Sequence, residues 1–128
     1  MFLSSSLHKV PSEAPRGLTA TANTSTSMVI AWQLPVEDSR NGIIKGFKLF
    51  VKRKDSSNSP KTVLVDGASN LTKHLTGLDE FTEYEFQVLA FTSTGDGPKS
   101  PVVVAKTKED GKKYATFLPK YSSYNFGL

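Results

Sequence analysis

The chain has 128 residues, 38% of them apolar, which is enough to bury one hydrophobic core and too few for two independent domains. It contains no cysteine, so disulfides, thiolate nucleophiles and cysteine-ligated metals are all excluded. The 16 basic residues are spread among 12 acidic ones, and the resulting formal charge of +4 argues against a dedicated nucleic-acid-binding domain.

Residues 1–12 are predicted to be a disordered leader or linker. The opening MFLSSSLHKV has too short an apolar run and no basic lead-in for a signal peptide, so none is predicted in this chain. No stretch approaches the roughly 20 apolar residues of a transmembrane helix, so no membrane span is predicted. If the domain works outside the cell, we therefore expect the chain to be part of a longer protein.

Between Glu13 and Glu109 the sequence predicts short β-strands separated by turns, with no sustained helical period. The expected strands are Gly17–Thr21, Met28–Gln33, Ile44–Arg53, Lys61–Val65, Leu71–Leu75, Thr82–Thr92 and Ser100–Thr107. The connections are rich in residues that accept turn geometry, such as the pair Asn41-Gly42. Seven short strands with frequent turns favour a single all-β sandwich.

The third and sixth predicted strands assign their side chains to two faces, because successive residues of a strand point to opposite sides. The side chains expected to point inward are Phe47, Leu49, Val51, Tyr84, Phe86, Val88 and Ala90. Those expected to point outward are Lys48, Phe50, Lys52, Lys54, Glu83, Glu85, Gln87, Leu89 and Phe91.

Four motifs follow one another in a familiar order. APRGLTA precedes SMVIAWQLP, which is followed by NGIIKGFKLFVK and then by LTGLDEFTEYEFQVLAFTSTGDGPKS. In this order they resemble the fibronectin type III family over residues 13–109, which leaves 110–128 as a C-terminal tail that we predict to be disordered. The resemblance implies a seven-stranded, immunoglobulin-like β-sandwich with sheets of three and four strands.

The resemblance also gives individual residues structural roles. Trp32 matches the core tryptophan of the family, and Phe47 stands where the family usually has a tyrosine. Leu78 and Tyr84 match the tyrosine corner, in which the hydroxyl bonds back to the chain a few residues upstream. Together with the strand faces, this predicts a structural core of Trp32, Phe47, Leu49, Leu78, Tyr84, Phe86 and Val88.

Catalysis is not predicted, and neither is a cofactor or a metal. His8 and His74 are the only histidines, and neither has a paired carboxylate or a serine motif at a useful spacing. The loop TSTGDGPKS has Asp96 after Gly95, but Thr94 stands where an integrin-binding arginine would be needed. Its glycines are instead typical of a tight hairpin loop.

The outward faces of two neighbouring strands predict a partner surface. Phe50, Leu89 and Phe91 are large apolar groups there, and adjacent ones would form a patch typical of interfaces. The candidate surface comprises Phe50, Leu89, Phe91, Lys48, Lys52 and Asp96. The alternatives are that a loop or the tail covers these groups, or that they lie apart.

The basic strand KGFKLFVKRK raises a second hypothesis, weak contact with a polyanion such as heparin. In the resembled fold this strand pairs with the strand that carries Glu83 and Glu85. Cross-strand pairing should therefore neutralise part of its charge.

Two sequons, at Asn23 and Asn70, fall in or beside predicted turns, where a glycan would be tolerated. They tilt the expected location toward the extracellular space or the cell surface. The tail is unusual for its aromatic residues, Tyr114, Phe117, Tyr121, Tyr124 and Phe126. It could dock over the apolar patch, bind a partner or belong to a following segment.

These observations predict a non-catalytic interaction or spacer module from an extracellular adhesion or cell-surface receptor protein. Its partner would be another protein or a neighbouring domain of the same longer chain. Two alternatives stay open. One is an intracellular structural repeat of the kind found in giant muscle proteins, and the other is the accessory module of a carbohydrate-active enzyme.

Overall fold

A computed structural model describes residues 9–110, which contain seven strands and one short helix. The strands are β1 (Arg16–Ala22), β2 (Met28–Gln33), β3 (Gly46–Arg53), β4 (Lys61–Asp66), β5 (Thr72–Leu75), β6 (Glu83–Phe91) and β7 (Val103–Lys106). A 3₁₀-helix, Glu37–Ser39, lies between β2 and β3. Within the described range, no helix has the length and apolar character needed to cross a bilayer.

Every predicted strand is present, and the largest shift of a strand end is at β7. This strand begins at Val103 instead of Ser100. Pro101 lies between the two positions and has no backbone N–H to offer to the ladder, which explains the late start.

The strands form two antiparallel sheets, as the family resemblance implies. One sheet has the order β1-β2-β5 and the other the order β4-β3-β6-β7. The β3–β6 pair runs in register from Gly46 opposite Phe91 to Arg53 opposite Tyr84. β1 is less regular, because its pairing with β2 shifts between Arg16 and Thr19, where Gly17 has a φ of 63°.

The core lies between the two sheets. Met28, Ile30 and Trp32 of β2 contribute from the three-stranded sheet. The four-stranded sheet contributes Phe47, Leu49, Val51, Tyr84, Phe86, Val88 and Ala90, all on the expected inward face. Trp32 meets Phe47 edge to face, with ring centroids 5.5 Å apart.

The crossover from β5 to β6 has the geometry of a tyrosine corner. The Tyr84 hydroxyl accepts a hydrogen bond of 2.8 Å from the backbone N–H of Asp79. Leu78 is half-buried and packs on the margin of the core, while its own N–H donates to Thr26 O. Thr107, after β7, is buried against the same crossover and donates its hydroxyl to Asp79 O.

The residues just before the predicted start of the domain pack against it. Residues 9–12, which we assigned to the leader, lie against the domain, and Pro11 is fully buried. The sequence did not show this because a four-residue segment carries no period from which packing can be inferred. The remaining leader, 1–8, and residues 111–128 of the predicted tail, with their five aromatic side chains, lie outside the described residues.

Candidate functional site

The four-stranded sheet has one face on the core and one face turned away from it. The second face, which we call the outer face, carries Leu64 of β4, Lys48, Phe50 and Lys52 of β3, Glu85, Gln87, Leu89 and Phe91 of β6, Val104 of β7, and Val102 just before β7. The register places Lys48 between Leu64 and Leu89, and Glu85 between Lys52 and Val104.

The most exposed apolar side chains of the outer face belong to its two edges. Leu64 is 56% exposed, Val102 is 50% exposed and Val104 is 43% exposed. Phe50 is half-buried between them and borders a shallow hollow of about 50 Å³ together with Val102. Strand alternation could have found Leu64 and Val104, since each is the middle residue of an apolar triplet whose neighbours point inward.

Leu89 corrects the predicted partner surface. Its side chain points away from the core as expected, but it is only 4% exposed and offers no contact area. The chain beyond the β6–β7 turn runs back beside it, with Gly97 N bonded to Ala90 O and Ser100 N bonded to Val88 O. A count of alternating residues cannot show this cover, because it depends on the path of the loop.

Two lysines lie over the aromatic rings of the outer face. Lys99 Nζ is 4.2 Å from the ring centroid of Phe50, and Lys48 Nζ is 5.8 Å from that of Phe91. Both distances fall within the range of cation–π contacts. The loop residue Lys99 therefore covers part of Phe50, and Phe91 is likewise half-buried.

The basic residues of β3 are largely matched by acids. Lys48 Nζ lies 3.0 Å from Asp96 Oδ2, and the cross-strand pairs Lys52–Glu85 and Lys54–Glu83 have N–O distances of 3.7 and 3.9 Å. The partners expected from strand pairing, Glu83 and Glu85, are thus in place. A polyanion would have to compete with these carboxylates for the lysines.

Arg53, at the end of β3, holds two carboxylates. Its Nη2 is 3.2 Å from Asp55 Oδ2 and its Nη1 is 2.6 Å from Asp79 Oδ2. The hydrogen bond from Arg53, together with its positive charge, keeps the pKa of the Asp55 carboxyl below its usual range. The same contacts raise the pKa of Arg53, which stays a cation.

The loop between β6 and β7 places Asp96 on the outer face. Its carboxylate is committed to Lys48, and the residue before Gly95 is Thr94, with no arginine in the loop. This arrangement uses Asp96 to fasten the loop to β3.

The architecture and the sequence lead to the same family. A model of the fibronectin type III domain matches residues 13–106, which is most of the chain. The chain belongs to the fibronectin type III family. The match covers all seven strands and therefore every residue of the outer face.

Its relatives place this fibronectin type III domain among much longer proteins. Mouse sidekick-2 is 44% identical over 102 residues, which is 79% of this chain and 5% of that protein. Rat neogenin is 41% identical over 103 residues, covering 80% of this chain and 7% of that protein. The chain therefore spans only about a twentieth of the curated relatives it matches.

Solved fibronectin type III domains have the same fold. The FN5 domain of Drosophila Lar is 32% identical, with a TM-score of 0.63, over 79% of this chain and all of that one. The fn3 domain of human contactin 1 has a TM-score of 0.70 over 81% of this chain and 84% of that one. At 24% identity, the second similarity shows the fold alone.

Histidine and acidic residues form no metal-binding group in the described part of this fibronectin type III domain. Residues 9–110 contain no cluster of three or more potential ligands. His74 is exposed on β5, and its Nε2 lies 3.5 Å from the side-chain amide of Asn23. His8 lies outside the described residues.

Both predicted glycosylation positions are exposed. Asn23 lies in the turn between β1 and β2, and Asn70 lies just before β5. The Asn70 Nδ2, the nitrogen to which a glycan would be attached, donates to Asp66 O. Glycosylation at either asparagine stays a prediction.

A cleft of about 480 Å³ lies where the described chain leaves the fold. Phe81 is 53% exposed there, with Lys106 Nζ 3.6 Å from its ring centroid. Arg53, Lys54, Asp55 and Glu83 also line the cleft. Arg53 and Lys54 are paired with Asp55 and Glu83, whereas Lys106 lies over the Phe81 ring.

Proposed function

We propose that this fibronectin type III domain is a non-catalytic protein-interaction and spacer module of an extracellular adhesion or cell-surface receptor protein. We assign the contact with a protein partner to the outer face. The observation that carries this assignment is the exposure of Leu64, Val102 and Val104 around Phe50 on one continuous sheet surface.

The composition of the outer face supports a protein partner over other ligands. Exposed apolar side chains that share one face are typical of interaction sites. Single apolar side chains scattered over a surface are common and need no partner, whereas a contiguous apolar patch is unfavourable in water. Ion pairs such as Lys48–Asp96 and Lys52–Glu85 lie among them. The apolar side chains lie at the two edges of the face and the ion pairs lie between them, so a protein partner would contact both kinds of group.

Sequence similarity to sidekick and neogenin supports an extracellular location. Sidekick and neogenin, the relatives with 44% and 41% identity, are adhesion and receptor proteins of the cell surface. The exposed sequons at Asn23 and Asn70 suit the same compartment. Kinship therefore favours this function over the muscle-type repeat and over the accessory module of a carbohydrate-active enzyme.

The test is a binding screen by surface plasmon resonance against purified ectodomains of cell-surface proteins, this chain itself and heparin. The outer-face variant is Leu64→Ser combined with Val104→Ser. The matched control is Val29→Ser, which removes an exposed valine from the opposite sheet, where it is 37% exposed. Thermal melts of all three proteins verify folding before binding is compared.

We expect an ectodomain that binds the parent chain to lose at least about tenfold in affinity with the outer-face variant, equivalent to ~1.4 kcal/mol. The Val29→Ser control should keep the parent affinity. Equal binding by all three proteins would move the contact to another surface. Binding to heparin that Lys52→Gln abolishes would favour the polyanion hypothesis instead.

A further inference from the structure

Residues 9–12 connect two loops at the N-terminal end of the sandwich, and we call them the strap. On one side, Ser12 N donates to Ser39 O at 2.8 Å, and Asn41 Nδ2 donates to Val10 O at 3.0 Å. On the other side, the Thr92 hydroxyl donates to Lys9 O at 3.3 Å. The strap thus joins the β2–β3 connection to the β6–β7 loop.

Packing between the strap and the β6–β7 loop is close. A Cβ built on Gly97 would lie 2.8 Å from Pro11 Cβ, and one built on Gly95 would lie 3.3 Å from Val10 Cγ1. The strap therefore occupies the space that side chains at these two loop positions would need. Pro11 is fully buried by this contact, although it precedes the first strand.

The same loop reaches the outer face on its other side. Asp96 bonds to Lys48 at 3.0 Å, and Lys99 lies over the Phe50 ring at 4.2 Å. One loop thus contacts the strap through Thr92, Gly95 and Gly97, and contacts the candidate interface through Asp96 and Lys99. Any change in its position alters how much of Phe50 is covered.

The loop is anchored to β6 at its far end, where Ser100 N donates to Val88 O and the Ser100 hydroxyl accepts from Val88 N, and the residues before this anchor have fewer bonds. Thr92 and Gly95 exchange two backbone hydrogen bonds of 3.0 and 3.2 Å, and Gly97 N donates to Ala90 O. These bonds shape a tight turn, but glycine-containing segments with exposed ion pairs open at low free-energy cost. Among the described residues, the strap packs against the side of the loop formed by Gly95 and Gly97.

We propose that the strap is a latch that regulates the outer face. With the strap seated, the β6–β7 loop holds Lys99 over Phe50 and Asp96 against Lys48. When the strap leaves this position, the loop loosens and Phe50 becomes accessible. The link to partner binding rests on the proposed function, whereas the link between strap and loop does not.

The experiment uses the full chain and two independent ways of unseating the strap. The first is Val10→Ser combined with Pro11→Gly, which removes the packing from the strap side. The second is Gly97→Ala, in which the added methyl group of the loop would occupy the space now filled by Pro11. Val29→Ser, a change at a valine of the opposite sheet that is as exposed as Val10, is the matched control.

Amide hydrogen exchange followed by NMR is the first readout. Both strap-releasing variants should exchange Gly95 N and Gly97 N about tenfold faster than the parent, equivalent to ~1.4 kcal/mol. Amides of the β3–β6 core ladder should keep their parent rates, and so should every amide of the control. Unchanged rates at Gly95 and Gly97, or an equal increase throughout the core, would overturn the latch.

The second readout is fluorescence of anilinonaphthalene sulfonate, a dye that binds exposed apolar surface. Dye binding should rise in the strap variant and fall back when Phe50→Ser is added. A rise that persists without Phe50 would contradict regulation of the outer face. If the ectodomain screen finds no partner, the proposed function fails, yet exchange and dye binding still decide the latch.

Discussion

The ring of Phe91 lies across Gly46, its cross-strand partner, so closely that a Cβ on Gly46 would be 2.9 Å from Phe91 Cζ. The carbonyl of Val65 on β4 approaches the same position from the other side. Phe91 thus replaces the side chain that Gly46 lacks, an arrangement known to stabilise glycine in sheets. This contact with Gly46 accounts for part of the burial of Phe91.

We expect Gly46→Ala to destabilise the fold by about 1–3 kcal/mol, as extra atoms do in a packed site. Urea unfolding would measure it. In a double-mutant cycle, Phe91→Ala should recover part of the loss, because the ring can yield while the Val65 carbonyl cannot. A Gly46→Ala protein with the parent's midpoint would show that the two positions are not in close contact.

Tyr84→Phe tests the tyrosine corner. The change removes only the hydroxyl that accepts from Asp79 N, so we expect a loss of about 1 kcal/mol. For a domain of this size, that corresponds to a fall in melting temperature of roughly 4–8 °C. Tyr84→Leu should cost more, since it also removes the buried ring. A Phe variant that melts with the parent would show that the hydroxyl bond contributes nothing.

Trp32→Ala should be the most damaging core change, with a cost of roughly 3–5 kcal/mol. Trp32→Phe should cost much less. It keeps an aromatic edge against Phe47, and it removes Nε1, a buried donor that has no hydrogen-bond partner among the described residues. Circular-dichroism melts would give both values. Equal losses in the two variants would show that ring contact with Phe47 is unimportant.

Thr107→Val tests how the chain is fastened after β7. The Thr107 hydroxyl donates to Asp79 O at 2.7 Å and accepts from Thr82 N at 2.9 Å, and the residue is 1% exposed. Loss of both bonds at constant shape should cost about 2 kcal/mol. Thr62→Val, at an exposed hydroxyl of β4, is the control and should be nearly neutral. A neutral Thr107→Val would show that these two hydrogen bonds add nothing to the stability of the fold.

Asp55 gives the domain a defined response to acid. Its pKa in the folded protein is lowered by Arg53, first through the hydrogen bond and then through charge. The stabilising contribution is therefore complete above the unfolded pKa of about 3.9 and is lost as pH falls through the lower folded value. In Arg53→Gln, an NMR titration should show the Asp55 pKa higher than in the parent. An unchanged titration would exclude Arg53 as the cause.

The sequence was sufficient wherever local rules decide the structure. The ends of β2 and the two faces of β3 and β6 follow from alternation of apolar and polar residues. The corner of Leu78 and Tyr84 follows from the family resemblance, and the pairs of Lys52 and Lys54 with Glu85 and Glu83 follow from strand pairing.

Features that depend on the path of a loop could not be obtained in this way. Leu89 is buried because residues 97–100 return beside β6, and Lys99 covers Phe50 for the same reason. The packing of Pro11 involves a loop more than 80 residues further along the chain, as the contact between Thr92 and Lys9 shows. The exposure of Leu64 could have been predicted, because alternation along β4 points its side chain outward.

The irregular start of β1 bears on how such a domain survives in a long polypeptide. An edge strand with a shifted register at Gly17 offers no straight row of free N–H and C=O groups. In mouse sidekick-2 the matched region is only 5% of the protein, so a domain of this kind there is made as part of a much longer polypeptide. A distorted edge is a poor template for strand exchange with any unfolded chain nearby.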